Sequence, residues 1–292
     1  MQSEILPFVQ EGIRLEQAGS ILSHPIRNPS EAIGANASYF GNREWAEEYL
    51  HFCHREDTFR SRWLKAIGNY SDKIVVDIGC GPGNIFANFD HKPKLLIGVD
   101  VAPVSLEMAA NHGYLPLLAD ATDLPFKSGF ADIVVLNAAL HHCENMESVL
   151  SEAARLVKPG GLLVTDHDPQ KSAWNYKGIA RLLWNLRLLI YRLTKKGFHK
   201  TGSQQYWGIA SEIHHKPGHG VTKEFFYRIL GPLGFEVNIY PHNHTKGPEV
   251  LDGKRGRAHI KYLLGNLLSG RNPFSEKSAL SLMCIAKKLQ NP

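Results

Sequence analysis

Asp77, Gly79, Gly81 and Gly83 alternate along the run VVDIGCGPGN at residues 75–84. Glycines lack a Cβ, so such a loop brings backbone N–H groups close to a ligand and adopts positive φ at little cost. A helix starting directly after it would add its N-terminal dipole. Two further acids follow in the same rhythm. Asp100 closes KLLIGVD, about 20 residues on, where a carboxylate can take two hydrogen bonds from a ribose diol. Asp120 and Ala121 close LPLLADA and are followed by DLPF. A dinucleotide-binding turn needs its third glycine at position 84, which is Asn84. The chemistry suggested is the grip of a nucleoside-bearing ligand by bare backbone and acids.

Those residues need a scaffold that sets them side by side. Apolar runs at 73–79, 94–100, 115–121, 130–138 and 161–168 read as strands, and a helix is expected from Met146 to Val157, ending at KPGG. Residues 222–240 read as a helix and a sixth strand, and 278–289 as a seventh. Strands alternating with helices predict a doubly wound, mostly parallel sheet with helices on both faces. Ligands of such sheets bind at the carboxyl ends of the strands, where the winding reverses. Residues 1–70 read as helical and aromatic-rich, with Trp45, Tyr49, Leu50, Cys53, Phe59, Trp63 and Leu64 at helical spacing. The expected organisation is one domain over 1–292: a helical N-terminal lid (1–70), a binding core (71–168), a lid insertion (169–221), and a last helix and strands with a second insertion (222–292).

Composition narrows the class. With 43% hydrophobic and 21% charged residues the chain can build an ordinary core. A net charge of +5 is too small to argue for nucleic acid by itself. Cys53, Cys80, Cys143 and Cys284 form no C-x-x-C pair, so reduced thiols and a cytoplasmic location are expected, with no metal site. The first residues carry no basic-then-apolar leader pattern, and no apolar run is long enough to span a bilayer.

Taken together, these residues resemble the class I S-adenosylmethionine-dependent methyltransferases, in their small-molecule, type 11-like branch. The likeness runs through Asp77-x-Gly79-x-Gly81-x-Gly83, Asp100, Asp120-Ala121 with Leu124-Pro125-Phe126, DIVVLNAALHH at 132–142, and LVKPGG at 156–161. It covers roughly residues 70–168 and 222–240. The resemblance implies a Rossmann-like seven-stranded sheet and S-adenosylmethionine as cofactor, leaving as S-adenosylhomocysteine. It implies that Gly79, Cys80, Gly81, Gly83 and Asn84 face the methionine part and ribose, with Asp77 orienting the loop and the amino group. Asp100, with Val101 beside it, would hold the ribose diol, and Asp120 and Ala121 the adenine. Asn137 and Ala138 would line the reactive end.

A sulfonium methyl is a strong electrophile, so the protein must chiefly place an acceptor in line and exclude water. A base is needed only where the acceptor arrives protonated, and His is the ordinary choice near neutral pH. His141, His142 and His167 follow strand ends and are the catalytic candidates. Tyr39 and Phe40 are candidates for a lid over the cofactor; Trp174, Arg187 and His215 are further substrate contacts, and His214 and His219 crowd the same loop as His215.

The acceptor is expected to be O or N of a small molecule. The Asn/Asp-Pro-Pro-aromatic run of exocyclic-amine DNA and RNA methyltransferases is replaced by Asn137-Ala138-Ala139-Leu140, and a Pro-Cys nucleophile is missing, so no nucleic-acid partner is expected. The segment GIARLLWNLRLLIYRLTKK puts Arg181, Asn185, Arg192, Lys195 and Lys196 on one helical face and Leu182, Leu183, Leu186, Ile190 and Leu193 on the other. The favoured expectation is a lid helix packed on the sheet by its apolar face. A membrane-surface helix serving a lipid or quinone methyltransferase is the alternative, as is a non-catalytic cofactor-binding protein. The sequence sets no oligomeric state.

Overall fold

The computed structural model describes residues 2–27, 29–54, 56–195 and 200–290. Lys196 lies outside them, as does the side chain of Cys53. The strands are β1 (Glu16–Ala18), β2 (Ile21–Ser23), β3 (Ile74–Ile78), β4 (Leu95–Asp100), β5 (Leu115–Leu118), β6 (Ala131–Asn137), β7 (Val157–Asp166), β8 (Phe235–His242) and β9 (Ser281–Lys288). They form one sheet in the order β1-β2-β5-β4-β3-β6-β7-β9-β8. β1 and β9 run antiparallel to their neighbours, and the other pairings are parallel.

The helices are α1 (Gln2–Ile5), α2 (Glu31–Phe40), α3 (Arg43–His54), α4 (Asp57–Ile67), α5 (Pro103–Ala110), α6 (Met146–Leu156), α7 (Gly178–Thr194), α8 (Gly202–Ser211), α9 (Lys223–Leu230) and α10 (Ile260–Leu268). Alternation along the strands builds two cores, because successive side chains leave opposite faces. Val76, Ile78, Val134, Leu136 and Leu163 meet α6 and α9 on one face. Val75, Ile133, Val135 and Val164 meet α4 and α5 on the other. The chain leaves β3 toward β4 and β5, then crosses back to β6, so the winding reverses between β3 and β6. Ser30, Asn145 and Thr222 cap α2, α6 and α9 by accepting a backbone N–H three residues on.

Four expectations need correction. The sheet has nine strands, not seven, because the N-terminal region is not wholly helical. The hairpin β1–β2 extends the sheet beyond β5; its three-residue strands are too short to show a period. No α-helix follows the glycine loop: residues 82–85 turn, and a single 3-10 turn follows at Phe86–Asn88. The short connection to β4 spends Phe86 and Phe89 on the core with Tyr70 and Tyr114. KPGG does not end a helix before a strand at 161. β7 starts at Val157, and the extra residues form a bulge between the pairs Ala131–Val157 and Ile133–Leu162.

The fourth correction concerns α7. It is helical, as the spacing predicts, but its apolar face is not packed on the sheet. Ala180 is buried, Trp184, Arg187, Leu188 and Tyr191 are half-buried, and the Leu/Ile stripe points outward. The helix rests on a small separate core of Ala173, Trp174, Tyr176, Ala258 and Leu280 and packs against α10. Among the described residues, no helix is long and apolar enough to cross a membrane.

Candidate active site

The carboxyl ends of β3, β4, β5 and β6 open on a cavity of about 330 Å³. Its floor is the glycine loop, Asp100 and Val101 after β4, and Asp120 and Ala121 after β5. Ala138, Ala139, His142 and Cys143 after β6 close one side, and Ile33, Asn36 and Phe40 of α2 with Tyr49 of α3 close the top.

Gly79 and Gly81 line this cavity with φ of 69° and 52°. A Cβ on Gly79 would lie 2.7 Å from the Ala139 Cβ, so glycine lets the loop and the β6 turn approach. Asp100 holds the loop down. Its Oδ2 accepts the Gly81 N–H at 2.8 Å, and its Oδ1 accepts those of Val101 and Ala102 at 2.8 and 2.9 Å. Burial pushes its carboxyl above the usual range, opposed by these three bonds. Asp120 accepts the Thr122 N–H at 2.9 Å and so shapes its own turn.

Asp77 is buried beneath the loop rather than on the cavity wall. Its Oδ2 accepts the Tyr114 hydroxyl at 2.8 Å, and Tyr114 in turn accepts the Phe86 N–H. Burial pushes the Asp77 carboxyl up to about 7, and its Oδ1 has no hydrogen-bond partner among the described residues. Asn84 lines the cavity with a buried Oδ1 in the same condition.

The histidines separate by geometry. His142 reaches the cavity, and its Nδ1 lies 2.8 Å from the Ser211 carbonyl. A carbonyl can only accept, so Nδ1 carries the proton and Nε2 the lone pair. Burial and the neighbouring His141 lower its pKa to about 3, so it is neutral at physiological pH. Cys143, beside it, is pushed up to about 12 by burial and stays a thiol.

Several expected site residues lie off the cavity. Gly83 packs against Tyr114 and His112, and Cys80 is a fully buried core filler. Asn137 ends β6 inside the sheet. His141 is buried, with Nδ1 2.8 Å from Asp168 Oδ1. Burial disfavours the charged form of each. His167 sits in a buried network with Arg62, Asp166, His242 and His244. Arg62 donates to its Nε2 at 2.8 Å, which occupies the lone pair a base would use.

Tyr39 packs beneath α2 on Phe40 and Trp45. Trp174 donates to the Leu280 carbonyl and meets His215 edge-on. Arg187 lies 3.7 Å over the Trp184 ring and donates to its carbonyl, while His215 pairs with Glu212. Tyr39 is spent on packing the N-terminal helices, and Trp174, Arg187 and His215 on packing the insertion.

Asn36, Tyr49 and Ser148 were not anticipated on the wall. Asn36 donates to the His142 carbonyl at 3.2 Å and so ties α2 to the β6 turn. It precedes Phe40 by four residues, so helical spacing alone places both on one face.

Residues 76–165 match the family model described as a methyltransferase domain. Together with the sheet order and the glycine-loop cavity, that match identifies this part of the chain as a class I S-adenosylmethionine-dependent methyltransferase domain, whose cofactor is S-adenosylmethionine. The chain is 28% identical over 152 residues to the ubiquinone biosynthesis O-methyltransferase of Paracidovorax citrulli, covering 48% of this chain and 63% of that one. It is 32% identical over 97 residues to the tRNA (carboxymethyluridine(34)-5-O)-methyltransferase of Arabidopsis thaliana, covering 32% of this chain and 24% of that one. Its matches span less than two thirds of these relatives' own length. In fold it is similar to geranyl diphosphate C-methyltransferase from Streptomyces coelicolor, with a TM-score of 0.55 at 13% identity, covering 89% of this chain and 99% of that one.

Proposed function

We propose that the whole chain, read as one domain, transfers a methyl group from S-adenosylmethionine to O or N of a small molecule. One observation carries this: a single cavity joins the glycine loop, Asp100 and Asp120 to His142, whose proton-bearing nitrogen is tied back to Ser211. The residues present suit the cofactor. Gly79 and Gly81 present bare backbone to the cavity, and the orphaned Asn84 Oδ1 on its wall can accept a hydrogen bond from the cofactor's amino group. Asp100 and Asp120 bring two carboxylates to the wall for the ribose diol and the adenine amino group.

The bound cofactor supplies an electrophilic methyl on a positively charged sulfur. This chain's residues do the rest. The loop N–H groups and Asp100 fix the nucleoside, α2 and Tyr49 cover the cavity and exclude water, and His142 Nε2 accepts the proton of the attacking hydroxyl or amine. His142 is neutral over the physiological range but, held at about 3, is a weak base, so it takes the proton only as positive charge develops on the acceptor during transfer. We read the protein as cytoplasmic; Cys80, Cys143 and Cys284 are free thiols.

The test has two stages. Calorimetry should show binding of S-adenosylmethionine and S-adenosylhomocysteine, weakened in Asp100→Asn. Incubation with methyl-labelled cofactor and a metabolite extract should label a small molecule. Label in tRNA alone would overturn the substrate class. Binding with no transfer to any fraction would leave a cofactor-binding protein and remove the catalytic reading.

A further inference from the structure

We propose that the outer faces of α7 and α10 form a docking surface for an anionic phospholipid bilayer. On α7, Ile179, Leu182, Leu186, Leu189, Ile190 and Leu193 fall in one stripe roughly 120° wide and are between 46% and 74% exposed. A water-soluble helix ordinarily turns such a stripe to its core. Here the helix is held by its other side: Trp184 packs on Trp174, Tyr176 and Tyr262, and Arg187 stacks on Trp184. The outward stripe is therefore fixed by specific contacts on the inner side. α10, packed beside it, exposes Ile260, Leu264, Leu267 and Leu268, and Phe274 just beyond is 65% exposed. Two packed helices that each expose an apolar stripe mark an interaction surface.

Charge selects the occupant. Residues 177–200 and 253–275 hold 12 of the chain's 33 Lys and Arg and none of its 28 Asp and Glu. The rest of the chain carries 21 cations against 28 acids, so the cationic excess of the sequence falls in and beside the two leucine-bearing helices. Arg181 and Lys261 are exposed on these helices, and Lys195 is exposed directly after α7. Apolar side chains flanked by Lys and Arg without acids suit headgroups that are negative and acyl chains that are apolar. A protein partner or a second copy would bring a mixed rim. The surface is coupled to the cavity: Arg192 donates to Gln205 of α8, and α8 packs on α2, which carries Ile33, Asn36 and Phe40.

Co-sedimentation with extruded vesicles tests this without reference to activity. Wild-type chain should pellet with phosphatidylglycerol-containing vesicles, at least about tenfold more weakly with pure phosphatidylcholine, and more weakly again at high salt. Leu182→Ser with Leu186→Ser and Leu193→Ser should abolish pelleting with an unchanged melting temperature, since all three are exposed. Arg181→Gln with Lys195→Gln and Lys261→Gln should weaken it about tenfold or more. No binding to anionic vesicles overturns the proposal. So does binding that the serine variant leaves intact, or a dimer in light scattering that the serine variant dissolves and vesicles do not.

Discussion

β6 and β7 lie side by side, and each is followed by histidine on a turn that bends through positive φ, at Ala138 (52°) and at His167 (64°). From the sequence the two ends are equivalent sites. In the structure β6 opens on the cavity and β7 is sealed. The difference comes from what lies above each strand. Over β7, α4 brings Arg62 and β8 brings His242, and both clamp Asp166 with no solvent left. Over β6, α2 is tied to the turn by Asn36 and roofs a cavity with Ile33, Asn36 and Phe40 without filling it. A strand end becomes a site only where later elements leave it unfilled, and those elements are remote in sequence.

The largest effect should come from breaking the sealed end. Arg62 and Asp166 are both fully buried, so Arg62→Met strands a carboxylate and should cost about 3–5 kcal/mol. Thermal melting should fall by roughly 10 °C, while cofactor affinity of the folded fraction moves less than about threefold. A large affinity loss with unchanged melting would show that β7 belongs to the site after all.

The open end should respond in reverse. His142→Gln keeps a donor for the Ser211 carbonyl but removes the basic lone pair. The rate constant with the acceptor found by labelling should fall about a hundredfold, with cofactor affinity within about threefold. An unchanged rate would mean that the acceptor arrives already deprotonated or loses its proton to water.

How much of this could be read beforehand follows the same division. The strands, the glycine loop and the two later acids are local signals, and Gly79, Gly81, Asp100, Val101, Asp120, Ala121 and Ala138 all line the cavity. Asp77 stands out beside the loop, but its partner Tyr114 lies just before β5, and nothing in the sequence pairs the two. His141 and His167 were indistinguishable from His142 because their partners, Asp168 and Arg62, are set by tertiary packing. The amphipathic pattern of α7 was plain, but pattern alone does not say which side the rest of the fold covers. Asn36 is legible, because helical spacing puts it four residues before Phe40 on the same face.

Asp100→Asn probes the floor shared by every ligand of the open end. The amide retains one acceptor in place of a carboxylate that takes three backbone N–H groups. Weakened cofactor binding of about thirtyfold, near 2 kcal/mol, is expected in calorimetry, with some loss of stability as the loop loosens. Unchanged affinity would place the cofactor's sugar elsewhere.

The smallest effect concerns pH and follows from Asp77. Burial holds its carboxyl near 7, well above the usual carboxylate range. In the free chain a raised carboxyl favours the folded state at low pH, and that contribution is lost as pH climbs through 7. A cationic ligand in the cavity above the loop reverses the preference, because only the ionised acid attracts it. Below 7 the proton must leave on binding, so affinity should rise up to about tenfold per pH unit and level off above 7. Calorimetry in buffers of different ionisation enthalpy should count about one proton released below pH 7 and none above. Asp77→Asn should flatten both the slope and the proton count. A pH-independent affinity in the native chain would place the ligand's positive charge away from the β3 end and leave Asp77 only to brace Tyr114.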